Sequence, residues 1–309
     1  MTNSWPLDEL RWHGTLPLLQ DIQVLVPDNI TRLCITHFSD VQGVLESNSD
    51  SSAYQAIKDW IQDSLGRIEK APGVLCYQAK DSKLTDGQLR VLYCTIACAM
   101  GTLNTRYGAL FDVKDRDLDY TKEAIPVSKT KASTGFHTDS TAVEYSPDIV
   151  GLLCLQPAYK GGESQLANAA DLYNWMNKHY PEDVKILSQP IIRDVITPGT
   201  VNSPETIRKN KFPVFTLNPD GFRFRYMRYW ITTGYEKSKT RVPQGLNQAL
   251  DRIDKYLSTD EHILTFNMER GDMLFVNNTF ICHNRTSFED FPDADNKRTL
   301  VRTWISNPA

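Results

Sequence analysis

From about residue 105 onward the chain is written as short apolar runs broken by turn residues, and no other feature constrains its fold as much. Candidate strands fall at 149–155 (IVGLLCL), 212–217, 222–231, 262–268, 273–277, 282–288 and 298–305, the pattern of antiparallel β structure. The nearly unbroken apolar run at 149–155 reads as a central strand, and Gly161 and Gly162 mark a turn behind it. The earlier part differs. At 53–65, Ile57, Trp60, Ile61 and Leu65 recur at helical spacing, and a second helix starts at Thr85 or Asp86 and runs through Leu89, Leu92, Ile96 and Met100 to a stop at Gly101. A short buried strand at 73–79 lies between them, and shorter helices follow at 171–179 and 246–257. Helices flanking many short strands predict a mainly β fold, a barrel or double-sheet jelly roll with a mouth that takes a ligand.

No internal repeat, low-complexity tract or long linker divides the 309 residues. The expectation is one domain over 1–309, with a helical and strand part at 1–104 and the jelly-roll core with its inserts at 105–309. Lys and Arg number 34 against 38 Asp and Glu, a net charge of −4, which argues against a nucleic-acid groove or a polybasic membrane face. No apolar run reaches membrane-spanning length, and the N-terminus lacks a signal-peptide pattern. A soluble, cytoplasmic protein with a small-molecule partner is the expectation, its oligomeric state open. The six cysteines form no CxxC pair and read as reduced, buried thiols.

His137 and Asp139 form an H-x-D triplet at the end of a possible strand, 133–139. In extended chain, residues i and i+2 share a face with roots roughly 6 to 7 Å apart, so both reach one metal ion. His283 follows an apolar strand and reads either as a core histidine or as the third member of a set. Two imidazoles and one carboxylate make the facial set that leaves positions open on a non-haem Fe(II). On 298–305, period-2 alternation puts Arg298, Leu300, Arg302 and Trp304 on one face. Buried arginines need anions: a dicarboxylate ligand, held by the planar guanidinium fork, or internal bridges to Asp290, Asp293 or Asp295. The stretch FRFRYMRYW at 222–230 reads as a strand with alternate residues in solvent, or with Arg225, Tyr226 or Arg228 lining a substrate pocket. Asn277 and Asn278 read as a turn supporting His283, and 111–133, polar and weakly patterned, as a candidate lid.

In chain order these pieces are His137-x-Asp139, the Gly161-Gly162-Glu163-Ser164 turn, GDMLFVNN at 271–278, His283-x-Arg285-Thr286-x-Phe288, and Arg298-x-Leu300-x-Arg302-x-Trp304. The order resembles the taurine dioxygenase-like family of Fe(II)/2-oxoglutarate-dependent oxygenases, within the clavaminate synthase-like superfamily. The resemblance implies a cupin-like double-stranded β-helix, with Fe(II), 2-oxoglutarate and O2 as cofactor and co-substrates. It implies His137, Asp139 and His283 as iron ligands, Ser164 and Arg298 on the distal carboxylate of 2-oxoglutarate, and Arg302 on the substrate's acid group or on the co-substrate. Substrate oxidation with release of succinate and CO2 follows. The carboxylate at Asp139 favours hydroxylation over halogenation, with desaturation and cyclisation open on the same scaffold. A zinc-dependent hydrolase or a binding jelly roll uses the same triad but leaves the arginine pair and Ser164 without a role.

Overall fold

The computed structural model describes the chain outside residues 1–5, 48–51, 82, 106–107, 116–129, 195–202, 220, 294–295 and 307–309. The strands that position the site are β1 (Gln23–Leu25), β2 (Val74–Gln78), β3 (Thr102–Leu103), β4 (Phe111–Val113), β5 (Ile149–Gln156), β6 (Ser164–Asn168), β7 (Ile263–Phe266), β8 (Asp272–Asn277), β9 (Ile281–Arg285) and β10 (Thr299–Ser306). The principal helices are α1 (Ser52–Glu69), α2 (Asp86–Met100), α3 (Ala169–His179), α4 (Arg228–Ser238) and α5 (Leu246–Tyr256). The larger sheet runs β1-β2-β8-β5-β10-β3, with β4 also on β10, and the smaller runs β7-β6-β9.

Alternation along the long strands sends successive side chains into two cores. Val74, Cys76, Val150, Cys154, Leu274, Val276 and Leu300 point between the sheets, toward Leu166, Ile281 and Cys282. Their neighbours Leu75, Tyr77, Ile149, Leu153, Phe275, Val301 and Ile305 point the other way, onto Ile57 and Ile61 of α1 and Leu89, Leu92 and Ile96 of α2. This explains the unbroken apolar run at 149–155, because a strand buried on both faces has no polar side to show. Helix α2 begins at a capping box in which Thr85 and Gln88 satisfy each other's backbone N–H groups. It ends at Gly101, as its sequence predicts.

Gly151 marks the tightest point of the larger sheet. A Cβ there meets Tyr93 Oη at 2.6 Å and Phe275 Cε1 and Thr303 Cγ2 at 2.9 Å each. A Gly151→Ala chain is therefore expected to lose about 1–3 kcal/mol to overpacking, read as a lower urea midpoint at unchanged slope.

Two stretches depart from the sequence reading. The 222–231 run is not a single strand: Gly221–Phe224 pairs with Phe215–Asn218, and α4 starts at Arg228. Ile231, Gly234 and Tyr235 bury the inner face of α4 at helical spacing, and this tertiary burial overrides the local alternation. The possible strand at 133–139 reduces to bridges at His137, antiparallel to His283 on one side and to Met227 on the other. Most of the candidate lid, 116–129, lies outside the described residues.

Candidate metal centre

The two histidines meet through the backbone. His137 N–H donates to the His283 carbonyl at 3.0 Å and His283 N–H donates back at 2.9 Å, so His137 extends the edge of the smaller sheet beside β9. The imidazoles stand side by side, centroids 4.4 Å apart. His137 Nδ1 lies 2.8 Å from the Gly135 carbonyl, a contact that assigns the proton to Nδ1 and leaves the Nε2 lone pair free. Asp139 Oδ1 is 3.6 Å from His137 Nε2 and 3.7 Å from His283 Nε2. One donor atom from each residue lies within 4.8 Å of the others, a span that one ion with bonds of about 2.0–2.2 Å bridges.

The electrostatics suit a cation. Burial lowers the His137 pKa, and burial followed by the neighbouring His137 takes His283 down to about 3, so both rings are neutral and able to coordinate. Burial alone raises the Asp139 carboxyl. Arg302, His283, His137 and the Trp304 hydrogen bond outweigh it and hold that carboxyl at about 2, ionised. A buried set of two neutral nitrogens and one carboxylate fits a first-row divalent ion.

Asp139 is fixed from several sides. Its N–H donates to Asn278 Oδ1 at 2.7 Å, and Asn278 Nδ2 donates to the Asp139 carbonyl at 3.2 Å and the Pro147 carbonyl at 2.9 Å. Asn278 thus holds the main chain of Asp139, whereas the sequence reading had it supporting His283. Its neighbour Asn277 ties the strand end, donating to Ile68 and accepting from Thr279. Asp139 Oδ2 accepts from Trp304 Nε1 at 2.6 Å and from Arg302 at 3.4 Å.

A cavity between the sheets brings His137, Asp139, His283, Ser164, Arg298 and Arg302 together, walled by aliphatic side chains such as Val150, Leu166 and Leu274. Ser164, the first residue of β6, is buried and pairs in register with Arg285 and Phe266. Arg298 is only 4% exposed. Asp290 accepts its backbone N–H at 2.8 Å, but no carboxylate among the described residues pairs with its guanidinium, which lies over the Phe288 ring at 5.1 Å. The internal bridge open at the sequence level is therefore absent among the described residues, Asp295 lying outside them. Gly162 makes room for this arginine: it adopts φ +75°, and a Cβ there meets Arg298 Nε at 3.1 Å. Its neighbour Gly161, at φ +70°, has the Ser287 carbonyl 2.3 Å from any Cβ, so the turn requires glycine at both positions.

Arg225 and Arg228, read from the sequence as pocket candidates, do not line this cavity. Arg225 donates to the carbonyls of Val143 (2.6 Å) and Glu144 (2.8 Å), pinning the loop behind the H-x-D triplet. Arg228 pairs with Asp251 (2.8 Å) and Asp254 (3.0 Å) on α5. The reason is the helix start at Arg228, which rotates that side chain away from the face alternation assigns it. The sequence reading gave no role to Arg285, which lines the cavity and donates to the Thr130 and Ala132 carbonyls. Its place two residues beyond His283 on the same strand face was the available signal. Trp304 was placed on the correct face, but its bond to Asp139 had no local signature.

A double-stranded β-helix with two imidazoles and a carboxylate converging in its mouth defines the class, a jelly roll with a two-histidine, one-carboxylate centre. The sequence profile of the taurine catabolism dioxygenase TauD, TfdA family matches residues 50–304, and the chain belongs to that family. Among curated relatives, FR-33289 synthase of Streptomyces rubellomurinus (strain ATCC 31215) is 28% identical over 181 residues, 58% of this chain and 51% of that protein. The gamma-butyrobetaine dioxygenase of Homo sapiens is 25% identical over 187 residues, 60% of this chain and 46% of that protein. The chain spans about half the length of these two relatives. Among solved structures, asparagine oxygenase (AsnO) superposes with TM-score 0.65 at 16% identity, covering 93% of each chain. The non-heme iron oxygenase OrfP, in complex with Fe and alpha-ketoglutaric acid, superposes with TM-score 0.66 at 12% identity, covering 93% of this chain and 94% of that one. At such identities these likenesses establish the jelly-roll fold alone. No helix among the described residues is long and apolar enough to cross a membrane.

Proposed function

We propose that the chain is an Fe(II)- and 2-oxoglutarate-dependent dioxygenase that hydroxylates an unactivated C–H bond of a small, acid-bearing metabolite, releasing succinate and CO2. The observation that carries this reading is one cavity lined by the His137, Asp139 and His283 donors, by Ser164, and by a buried arginine, Arg298, with no carboxylate partner among the described residues. His137, Asp139 and His283 would hold the iron, as the two-histidine, one-carboxylate set does in non-haem Fe(II) oxygenases. Bound there, Fe(II) would supply, together with O2 and a 2-oxo acid, the oxidising chemistry. Arg298 and Ser164 bind the distal carboxylate of the co-substrate, the planar fork matching its two oxygens. The aliphatic walls between the sheets keep water from the reacting centre. Arg302, 22% exposed at its side chain and 3.4 Å from Asp139 Oδ2, lines the same cavity and recognises the acid group of substrate or co-substrate.

A single domain spanning 1–309 carries this activity, as the residues of the cavity come from 113 to 302. All six cysteines are free and five are buried, which suits a reducing compartment, and we place the enzyme in the cytoplasm. Anaerobic addition of Fe(II) and 2-oxoglutarate is expected to produce a weak visible charge-transfer band. Folded, metal-loaded protein without that band would sink the reading. Succinate release stimulated by one member of a panel of amino, sulfonic and phosphonic acids then names the substrate class. O2 consumption independent of 2-oxoglutarate points to a different enzyme on the same scaffold.

A further inference from the structure

The carboxylate of Asp139 has two oxygens in different situations. Oδ1 faces both imidazoles, at 3.6 and 3.7 Å. Oδ2 faces away and accepts the Trp304 indole N–H at 2.6 Å, with Arg302 further off at 3.4 Å. An indole N–H only donates, and at this distance to an ionised acceptor it forms a strong, charge-assisted bond. Trp304 is itself placed by β10, whose alternation points Leu300, Arg302 and Trp304 to the same side. The Asp139 main chain is held independently by Asn278 at its N–H and its carbonyl. The side-chain torsion is therefore the remaining freedom of this residue, and the Trp304 bond removes it.

We propose that Trp304 is a positioning residue that makes Asp139 a one-oxygen ligand, holding Oδ2 back so that a coordination position stays free for the chelating co-substrate. The inference rests on the reading of Asp139 as a metal ligand and adds the constraint on how it binds. A carboxylate free to rotate can offer both oxygens to one ion and so compete with the second donor of a 2-oxo acid. The tryptophan acts by geometry and touches neither metal nor co-substrate.

Trp304→Phe keeps a ring on the strand and removes the donor. Cobalt(II) serves as the probe, because its visible absorption reports coordination number and geometry without turnover. The variant is expected to bind Co(II) within about tenfold of the parent, to show an altered Co(II) spectrum before any co-substrate is added, and to bind 2-oxoglutarate about tenfold or more weakly once loaded, the scale on which partners of metal ligands act. An unchanged Co(II) spectrum together with unchanged 2-oxoglutarate affinity overturns the proposal. Asp139→Ala run in parallel separates the two layers: Co(II) affinity equal to the parent's removes the ligand assignment itself, whereas weakened Co(II) binding there with an unchanged Trp304→Phe removes only the clamp. Should Trp304→Phe fail to fold, the six tryptophan indole N–H signals of the intact protein, labelled with nitrogen-15 and loaded with Zn(II), decide the matter. A Trp304 indole protected from exchange and shifted far downfield supports the clamp, and a freely exchanging one overturns it.

Discussion

Asp139→Ala protein is expected to lose Fe(II)-dependent succinate formation to background and to bind Co(II) at least about 100-fold more weakly than the parent, the upper end of what removing a mere partner of a ligand costs. Three facts make this the most damaging substitution in the site. The carboxylate is the only anion in the donor set, so without it two neutral imidazoles face the cation alone. It also neutralises Arg302, whose guanidinium stands 3.4 Å from Oδ2 and would then repel an incoming ion across the gap. Finally, Ala restores none of the bonds to Trp304. The fold should survive, because Asp139 is anchored through its backbone to Asn278, which an alanine keeps, and the thermal midpoint of metal-free protein checks this. Asp139→Glu separates charge from reach. It keeps the anion, lengthens the arm by one methylene, and is expected to recover Co(II) binding ahead of turnover. Undiminished turnover in Asp139→Ala would exclude the carboxylate as a ligand.

The parts of this molecule legible in its sequence are those encoded by local period. Alternation located β5, β8 and β10 because each is long and has two faces buried against different partners. The same rule put His137 with Asp139 and Arg298 with Arg302 on common faces, while their meeting in one cavity was implied only by the family resemblance and is seen in the structure. It failed at Arg228, where an alternating pattern runs into a helix whose burial against the insert is decided by residues far along the chain. Long-range pairs left no local trace at all. The bond from Trp304 to Asp139 spans 165 residues and that from Asn278 spans 139, and nothing in either segment distinguishes such a partner from a residue that merely packs. That Arg298 has no carboxylate partner among the described residues was also invisible, since Asp290 lies close in sequence but takes the backbone N–H instead of the guanidinium.

That buried guanidinium leads to the second large effect, in which stability and function move in opposite directions. Arg298→Leu is expected to raise the KM for 2-oxoglutarate roughly 30- to 4,000-fold, which corresponds to the 2–5 kcal/mol lost when one partner of a buried, hydrogen-bonded charge pair is truncated. Co(II) binding is expected to stay near the parent's, because Arg298 contacts none of the three donors. The ligand-free protein should be no less stable than the parent. Burial lowers the pKa of this guanidinium and outweighs the opposing influence of nearby Asp290, no carboxylate among the described residues forms an ion pair with it, and an apolar residue in such a place is often neutral or stabilising. A structural arginine behaves oppositely, its loss costing stability and leaving the KM alone. Thermal melts with and without saturating 2-oxoglutarate distinguish the two. The parent should gain several degrees from the ligand by mass action, and the variant should gain almost nothing at the same concentration. Arg298→Lys completes the series: it keeps the charge but not the planar fork, so its KM is expected between those of the parent and the leucine variant. A lysine variant equal to the parent would show that charge alone, without the two-oxygen match, holds the co-substrate.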